Sequence, residues 1–454
     1  MKEIIYNKRL IARMVIETET PLAIGSGEKD IKTDKLVVKD VNGMPYIPGS
    51  SLAGVLRHSI KDFNRPDSIF GFQKGDEGKG SRILFTDGVM LGEDGIALDG
   101  LQQIPNTAFY ERYNNLPIRQ HVRMNETGTA EDKGKFDEQV VFKGTRFVFE
   151  MELVYTSLEN AEEPEDEKTF NAILKNLCFK TLRFGSGTRN GFGKIKIVSI
   201  EKACLDLTKE NDMEQYISKT SRLDQSWPAF KEIEAPKDAD SEWTKYDINL
   251  RPKDFFLFGA GFGDDDADMI PVTESIVTWN NGKPSFVDDG MVIPGTSVKG
   301  ALSHRATYYW HKKQGIFADK QETLINKVNT IVNLFGKASD DNATDDDDST
   351  MGNVIIDDII IDALPTRIIN HVAIDRFTGG TINGALFQEK VADAKMGQVP
   401  QVSMTIYVRT SVLDDESIKY AWEMTLKDLC SGNLPLGGGT NRGNGVFVGE
   451  YKIG

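Results

Sequence analysis

The segment FGSGTRNGFGKIKI begins at Phe184, and a related segment, LGGGTNRGNGVFVGEYKI, begins at Leu436. Five of the nine positions from Gly185 to Gly193 are identical to those from Gly437 to Gly445. The glycines are accompanied by β-branched residues that predict a strand after each loop. A repeated segment is the signature of a repeated structural unit, and such a unit should contain further matches at a similar spacing.

Three further pairs of segments recur in the same order. KRLIARMVIETETPLAIGSG contains a Gly-x-Gly turn at 25–27, and TKYDINLRPKDFFLFGAG contains one at 259–261. YIPGSSLAGVLRH is repeated as VIPGTSVKGALSH, and HVRMNETG is repeated as HVAIDRFTG. The spacing between partners grows from 234 to 252 residues, with a twelve-residue insertion between the first two pairs in the second copy. This order predicts a duplication.

The repeats predict two homologous domains, residues 1–205 and 245–454. The polar segment 206–244 between them, which contains Pro228 and Pro236, is interpreted as a linker.

Each copy has the pattern of a mixed fold. Alternating apolar residues predict strands in RLIARMVIET, RILFTDGVML, RFVFEMELVY and KIKIVSIEKA. Helices are expected after each PG turn, where Ser50 or Thr296 would be the capping residue, and again over 168–182. Strand, helix, two strands, helix and strand predict an α+β fold of two tandem ferredoxin-like units with insertions.

Composition limits the function classes. The chain has 454 residues, 39% of them hydrophobic, and no apolar stretch of membrane-spanning length or signal-peptide type, so we expect a cytoplasmic protein with no membrane partner. Its three scattered cysteines exclude a disulfide framework. The net charge of −15 argues against nucleic acid, although six aspartates crowd into 340–348. We interpret this run, like 159–168, as a solvated loop, with a cation or partner site as the alternative.

The glycine loops match no nucleotide-binding fingerprint. A dinucleotide motif would open a helix, whereas a strand follows here, and no Walker A sequence occurs. Exposed backbone amides flanked by Arg189 or Arg442 suit a polyanion. The PGSS and PGTS turns place Ser50, Ser51, Thr296 and Ser297 at helix starts, which favour phosphate. Ordinary turns and caps are the alternatives for both features.

Two aspartates lie at one fixed distance from the glycine turns. Asp34 is seven residues beyond Gly27, and Asp268 is seven beyond Gly261. Such a carboxylate beside a phosphate-binding turn could hold a divalent cation, Mg²⁺ or Mn²⁺, or orient a 2′-hydroxyl. An ordinary surface aspartate is the alternative, especially for Asp268, which follows the acidic stretch 264–266.

The HVRMNETG and HVAIDRFTG segments contain turn residues and are followed by strands, so they predict projecting hairpins. Met124 or Ile374 could wedge between bases while Arg123 and Arg376 hold phosphate. Ordinary loops are again the alternative.

The ordered set of motifs resembles the RAMP superfamily. It comprises the glycine turn, IPGSSLAGVLR, an IFG, ILFTD, a TG-containing hairpin and GSGTRNGFGKI, and the second copy repeats it as IPGTSVKGAL, LFG, VIIDD, FTGG and LGGGTNRGNG. The set covers nearly the whole chain apart from the linker, and it is most similar to the Cas-seven family backbone subunits of type III CRISPR effectors.

The resemblance implies RRM-like cores, thumb hairpins that interrupt pairing between guide and target RNA, and a CRISPR guide RNA held along stacked subunits. Other RAMP subunits and the large effector subunit are the implied protein partners. In catalytic members an aspartate after the first glycine turn supports metal-dependent cleavage of target RNA, and the matching residues are Asp34 and Asp268. The predicted RNA contacts are Gly25, Ser26, Gly27, Ser50, Ser51, Arg57, Arg123, Gly185, Gly187, Arg189, Gly259, Gly261, Thr296, Ser297, Lys299, Arg376, Gly437, Gly439 and Arg442.

The chain departs from the family pattern in three places. Family members commonly carry lysine where the first copy has Ala53, whereas the second copy has Lys299. The twelve-residue insertion and the aspartate-rich loop could alter the second site, and the duplication suggests a subtype with fused backbone subunits. A purely structural guide-binding subunit and a stand-alone metal-dependent or nucleotide-binding enzyme remain the alternative functions.

Overall fold

The chain folds into two units of the same topology. The computed structural model describes residues 6–30, 33–60, 66–124, 129–155, 165–238, 240–317, 329–337, 349–396 and 399–454. The aspartate-rich run 340–348, the acidic residues 159–164 and the first hairpin's turn at 125–128 lie outside these residues. Among the helices that the structure describes, none combines the length and the apolar character needed to cross a membrane.

The first unit contains the helices and strands that run from residue 8 to residue 206. They are β1 (Lys8–Thr18), α1 (Gly49–Ser59), α2 (Pro66–Phe70), β2 (Phe72–Lys74), β3 (Glu77–Lys79), β4 (Ile83–Phe85), β5 (Val89–Met90), α3 (Ala108–Asn114), β6 (Ile118–Met124), β7 (Ala130–Gln139), β8 (Arg146–Tyr155), α4 (Glu165–Leu177) and β9 (Ile195–Asp206). The predicted strand RILFTDGVML is divided into β4 and β5, and the helix predicted over 168–182 lies at 165–177.

The remaining elements form the connector and the second unit. They are α5 (Glu210–Ser218), β10 (Lys231–Ile233), β11 (Trp243–Pro252), β12 (Phe255–Phe256), β13 (Thr273–Asn280), β14 (Lys283–Ile293), α6 (Gly295–Lys313), α7 (Asn329–Phe335), β15 (Val354–Ile356), β16 (Ile359–Ile361), β17 (Thr366–Ile374), β18 (Thr381–Asp393), β19 (Val402–Arg409), α8 (Glu416–Ser431) and β20 (Phe447–Ile453), with 3-10 helices at Thr410–Asp414 and Thr440–Arg442.

The two central sheets have the same strand order. The first runs β10-β9-β1-β8-β4, with β5 also paired to β8, and the second runs β20-β11-β19-β15. Without β10 and β5, both are antiparallel sheets in the ferredoxin-like order. The main crossover helices are α1 and α4 in the first unit and α6 and α8 in the second. The predicted α+β fold of two ferredoxin-like units is therefore confirmed.

Alternation along β1 explains how the first sheet buries apolar side chains on both of its faces. Leu10, Met14 and Ile16 face a core shared with α1 and α4, whereas Ile11 faces the opposite side of the sheet. On that opposite side Ile11 packs with Trp227 of the connector. The connector also adds β10 to the edge of the sheet, so it is packed rather than loose; the domain boundaries stay a prediction.

Both predicted hairpins project from their units. β6 and β7 form the first thumb, and β17 and β18 form the second. The insertion of the second copy is the β13–β14 hairpin, which packs on the first unit. There Phe286 contacts the rings of Phe109, Tyr113 and Phe142, and the Trp279 indole donates to the Gly144 carbonyl at 2.7 Å.

Candidate functional site

The glycine loop of each copy packs against its own first glycine turn through the same hydrogen bonds. The amide of Ser186 donates to the Ala23 carbonyl, and the amide of Gly438 donates to the Leu257 carbonyl, both at 2.7 Å. A Cβ at Gly185 would lie only 2.3 Å from the oxygen of Ala23, and φ there is +80°. Glycine is therefore required at this position for close packing, whether or not RNA lies on the loop.

The first glycine turns lie on the surface in both copies. The amide of Ser26 donates to the Leu36 carbonyl at 2.9 Å, between Gly25 and Gly27, which are both exposed. Gly259 and Gly261 are exposed at the corresponding place. A Cβ at Gly261 would lie 3.2 Å from Oε1 of Gln120, so the first thumb adjoins the second copy's glycine turn.

Asp34 is fixed to the first thumb by a reciprocal pair of hydrogen bonds. Its backbone amide donates to Oδ1 of Asp137 at 2.8 Å, and the Asp137 amide donates to Oδ2 of Asp34 at 3.1 Å. Asp137 lies on β7, the strand that returns from the thumb tip. Two carboxylates thus meet at the base of the thumb, and Asp34 is exposed.

Asp268 has the matching position in the second copy but a different partner. The amide of Gln388, on the returning strand β18, donates to Oδ2 of Asp268 at 2.8 Å. The nearby carboxylate of Asp264 binds Nζ of Lys390 at 2.6 Å, and this hydrogen bond lowers the pKa of Asp264 and raises that of Lys390. Opposite the clamped aspartate, the second copy therefore has Gln388 where the first copy has a second acid, Asp137.

The carboxylates at the base of the first thumb suit a cation such as Mg²⁺, whose remaining ligands would be phosphate oxygens of the substrate and water. In the described ranges, no three side chains of His, Cys, Asp or Glu are grouped as ligands for an ion. Mg²⁺ in phosphoryl-transfer sites commonly uses one or two carboxylates together with phosphate oxygens and water. Asp34 and Asp137 supply the two carboxylates, whereas Asp268 supplies one. The cation itself remains a prediction.

Each thumb base also contains a histidine for which the sequence analysis predicted no role. His121 stacks on Phe136 with ring centroids 4.8 Å apart, and its Nε2 lies 3.0 Å from Oε1 of Glu138. In the second thumb, the matching side chains are His371, Phe387 and Glu389, with 4.7 Å between rings and 2.9 Å from Nε2 to Oε2. The repeated Phe-x-Glu of FDEQ and FQEK was the available sequence signal.

The helix starts are capped differently from the prediction. The prediction that Ser50 and Thr296 cap these helices is wrong, because the cap positions are Pro48 and Pro294 and neither helix has a side-chain cap from its own turn. Instead, Oδ1 of Asp87 accepts from the Gly49 amide, and Oδ1 of Asp358 accepts from the Gly295 amide, both at 2.7 Å. This interaction spans many residues, so local capping rules could not indicate it.

The glycine loop of the first copy and the helix start of the second copy meet at the junction between units. The amide of Asp358 donates to the Gly191 carbonyl at 3.3 Å, and a Cβ at Gly295 would lie 3.2 Å from Cα of Gly191. Nζ of Lys299 lies 3.5 Å from Oδ1 of Asn190. The structure thus brings Asn190 and Gly191 of the first glycine loop beside Gly295 and Lys299 of the second copy.

The remaining predicted cations have several different environments. Arg57 donates to the Gly71 carbonyl at 2.8 Å and pairs with Asp67, Arg123 pairs with Glu131 at 3.6 Å, and Arg442 pairs with Glu389 over the Phe387 ring. Arg376 is exposed at the second thumb turn, beside Phe377, and Ser51, Gly437 and Gly439 lie at or near the surface.

Arg189 is a predicted contact whose guanidinium the structure packs at the junction between the copies. Its Nε donates to the Gly352 carbonyl at 3.0 Å, and its guanidinium lies over the Trp243 ring. Burial, together with the guanidinium groups of Arg183 and Arg409, lowers the pKa of Arg189 to about 10. Arg189 therefore contributes to the junction, and its RNA contact stays a prediction.

The doubled ferredoxin-like unit, with one thumb and one clamped aspartate in each copy, defines a tandem α+β protein with two equivalent surfaces. The family model of the RAMP superfamily matches residues 15–196 and, separately, residues 254–448. Because these matches cover most of the chain, the protein belongs to the RAMP superfamily. No curated protein matches the chain.

Proteins of this superfamily bind RNA and work in multi-subunit complexes, and some of them are ribonucleases. Membership therefore supports a CRISPR-associated RNA-binding function for this chain.

Proposed function

We propose that this chain is a guide-RNA-binding backbone subunit of a type III CRISPR effector, and that it cleaves target RNA at its thumb bases with a divalent cation. The observation that carries the proposal is the duplicated clamp: Asp34 and Asp268 each accept a hydrogen bond from the returning thumb strand, at 3.1 and 2.8 Å. A carboxylate held in this way lies beside any RNA strand that passes the thumb.

The proposed RNA path crosses the junction between copies. The glycine loop at 185–193, the start of α6 and Lys299 adjoin one another, and the first thumb adjoins the second glycine turn. Backbone amides and one lysine recognise phosphate rather than bases, so we expect little sequence preference and marked weakening by salt. Arg123 and Arg376 would hold phosphates on the thumbs.

The chemistry we propose is in-line attack by a ribose 2′-hydroxyl on the adjacent phosphorus. The 2′-oxygen forms a bond to phosphorus while the bond to the 5′-oxygen breaks, the 2′-hydroxyl proton passes to solvent, and the leaving 5′-oxygen takes up a proton. The products are a cyclic 2′,3′-phosphate and a 5′-hydroxyl. A bound Mg²⁺ or Mn²⁺ would neutralise phosphate charge; Asp34 with Asp137, and Asp268 alone, would hold it.

The test uses the chain purified with its guide RNA and partner subunits, which we expect to include other RAMP subunits and the large subunit in the cytoplasm. The double variant Asp34→Ala/Asp268→Ala should lose cleavage of labelled complementary RNA while binding it with unchanged affinity. Asp265→Ala removes an exposed aspartate from the same acidic turn and should leave both properties unchanged. Full cleavage by the double variant would exclude these aspartates from the reaction.

A non-catalytic guide-binding subunit is the second candidate. It is favoured by the second thumb base, where Gln388 stands opposite Asp268 and Asp264 is already bound to Lys390. If neither copy cleaves, the wild-type complex should bind target RNA without producing cyclic phosphate ends, with or without added Mg²⁺ or Mn²⁺.

A further inference from the structure

A cavity of about 580 Å³ lies between the two copies. Its wall on the first copy consists of the adjoining ends of β1, β8 and β9, and its wall on the second copy consists of β13, β16 and β19. The described residues that line it include none of the predicted RNA contacts. Because small-molecule sites have volumes of roughly 300–1,000 Å³, the cavity is large enough for a ligand, and its lining differs from that of the proposed RNA path.

The acids that the first copy contributes to the cavity wall are paired with cations. The Glu17 carboxylate accepts a hydrogen bond from Nε of Arg146 at 2.8 Å and lies 2.7 Å from Nζ of Lys196. Glu19 lies 3.5 Å from Nζ of Lys194. Both carboxylates are therefore neutralised by neighbouring side chains of the same wall.

The acids that the second copy contributes are paired as well. Asp357 lies 2.7 Å from a guanidinium nitrogen of Arg183 and 3.0 Å from Nζ of Lys194, and Asp358 lies 2.9 Å from Arg119. Each acid that lines the described part of the cavity thus has a cation close to it. A cationic ligand would have to compete with those cations, so the wall is unsuited to one.

Lys143, at the start of β8, has no such partner. Within the described residues its ammonium group makes no hydrogen bond or ion pair, and every charged group that acts on its pKa lines the cavity. Burial lowers this pKa, and the ammonium groups of Lys194 and Lys196 lower it further, against the opposing effect of Glu19 and Asp357. A half-buried cation without a counter-charge is unfavourable, and an anion in the cavity would supply that charge.

We propose that this cavity binds a small phosphate-bearing ligand, with Lys143 as a direct contact and with both copies in the wall around it. A phosphate group carries about −1.5 to −2 charges at pH 7 and has three strong acceptor oxygens. It can therefore accept a hydrogen bond from Lys143 while it also meets the ammonium groups of Lys194 and Lys196.

The rest of the wall offers surface for an organic group attached to the phosphate. Trp279 lines the cavity, and the Arg146 guanidinium lies 4.2 Å from the centroid of its ring. Ile360 and Met404 line the cavity as well. The ligand is thus either inorganic phosphate or the phosphate of a mononucleotide, and in both cases it would stabilise the contact between the copies. This inference holds whether or not the chain cleaves RNA.

The experiment is a calorimetric titration of the full chain with inorganic phosphate and, separately, with AMP, at constant ionic strength. We expect one saturable site per chain for at least one of these probes. An affinity for AMP that is at least ~10-fold higher than for phosphate would assign the site to a nucleotide. Equal affinities would assign it to the phosphate group alone.

Variants of Lys143 test its role as the direct contact. Lys143→Gln should weaken binding by at least ~10-fold, whereas Lys143→Arg should retain most of the affinity. Lys419→Gln, which removes an exposed lysine outside the cavity wall, is the matched control and should leave the affinity unchanged. Because Lys143 has no ion pair within the described residues, Lys143→Gln should not lower the melting temperature of the ligand-free protein. It should abolish the rise in melting temperature that saturating ligand gives the wild type.

Three results would overturn the inference. One is the absence of saturable binding for both probes. Another is binding that Lys143→Gln leaves unchanged, since the phosphate would then lie outside the cavity. The third is a melting temperature that Lys143→Gln lowers equally with and without the probe, because Lys143 would then contribute to the packing of the junction instead of holding a ligand.

Discussion

The two thumb bases differ although they have the same framework. Both contain a clamped aspartate, a histidine stacked on phenylalanine, and a glutamate on the returning strand. The first adds Asp137 and Arg119, whereas the second has Gln388 and Ile369 in the corresponding places. The backbone clamp is thus present in both copies, whereas the second acid, Asp137, and Arg119, whose guanidinium lies 2.9 Å from Asp358 of the second copy, have no equivalent in the second thumb base.

Because of this difference, the two thumb bases have different roles. The first thumb base holds the neighbouring copy through Arg119 and presents two acids to the surface, whereas the second thumb base is free of the junction. Changes at matched positions in the two copies should therefore have unequal effects.

The largest effect is expected from Arg119→Met. Burial lowers the pKa of Arg119, but Asp358 and Glu274 outweigh it and raise the pKa above its ordinary value. Removing the cation leaves two carboxylates buried at the junction, which should reduce the free energy of unfolding by about 3–5 kcal/mol. The matched variant Ile369→Met should change it by less than about 1.5 kcal/mol. Urea unfolding measures both, and equal losses would contradict the assigned role.

The next effect concerns cleavage. In the assembled complex, Asp34→Asn should slow cutting opposite the first thumb by about 100-fold or more. Asp268→Asn should slow cutting opposite the second thumb by a smaller factor, because that base starts with a single acid. Product lengths on a long labelled RNA distinguish the two positions. A larger loss with Asp268→Asn would reverse the comparison.

A smaller effect is expected from the second acid itself. Asp137→Asn keeps the backbone amide that clamps Asp34 but removes one carboxylate, so cutting at the first base should fall by about 10-fold. Gln388→Asp gives the second base the missing acid and should raise cutting there. The Mg²⁺ concentration for half-maximal cutting should shift in the same directions. Unchanged Mg²⁺ dependence in both variants would exclude Asp137 as a ligand.

The smallest effect is expected at the helix starts. Lys299 lies at the junction surface, and its counterpart in the first copy is Ala53. Lys299→Ala should weaken RNA binding a few-fold and lower the slope of log affinity against log salt by about one. Ala53→Lys should change both quantities in the opposite sense. Lys419→Ala, an exposed lysine on α8, serves as the control and should change neither.

The sequence predicted the fold well because its signals are local and occur twice. Alternation in β1, the helical spacing after each PG turn and the repeated glycine loops are properties of neighbouring residues, and each copy supports the interpretation of the other. The aspartates were found in the same way, from one spacing after each glycine turn, and the structure places both at equivalent positions beside the thumbs.

What could not be predicted depends on contacts between distant segments. Asp87 and Asp358 cap helices from the connections between strands, β4–β5 and β15–β16, which lie 38 and 63 residues further along the chain. Arg189 looked like a phosphate contact because nothing local indicated that Trp243 would lie beneath it. The inserted hairpin was visible as twelve extra residues, but its packing on the first unit depends on both copies being folded together.

The packed connector has a consequence for how the junction forms. β10 ends at Ile233 on the edge of the first sheet, and β11 begins at Trp243 in the second sheet. Only residues 234–242 are left as a tether, and a tether this short gives the two units an effective local concentration on the order of millimolar. A contact too weak to join separate molecules is therefore sufficient within one chain, so the two units can adopt their register without bound RNA.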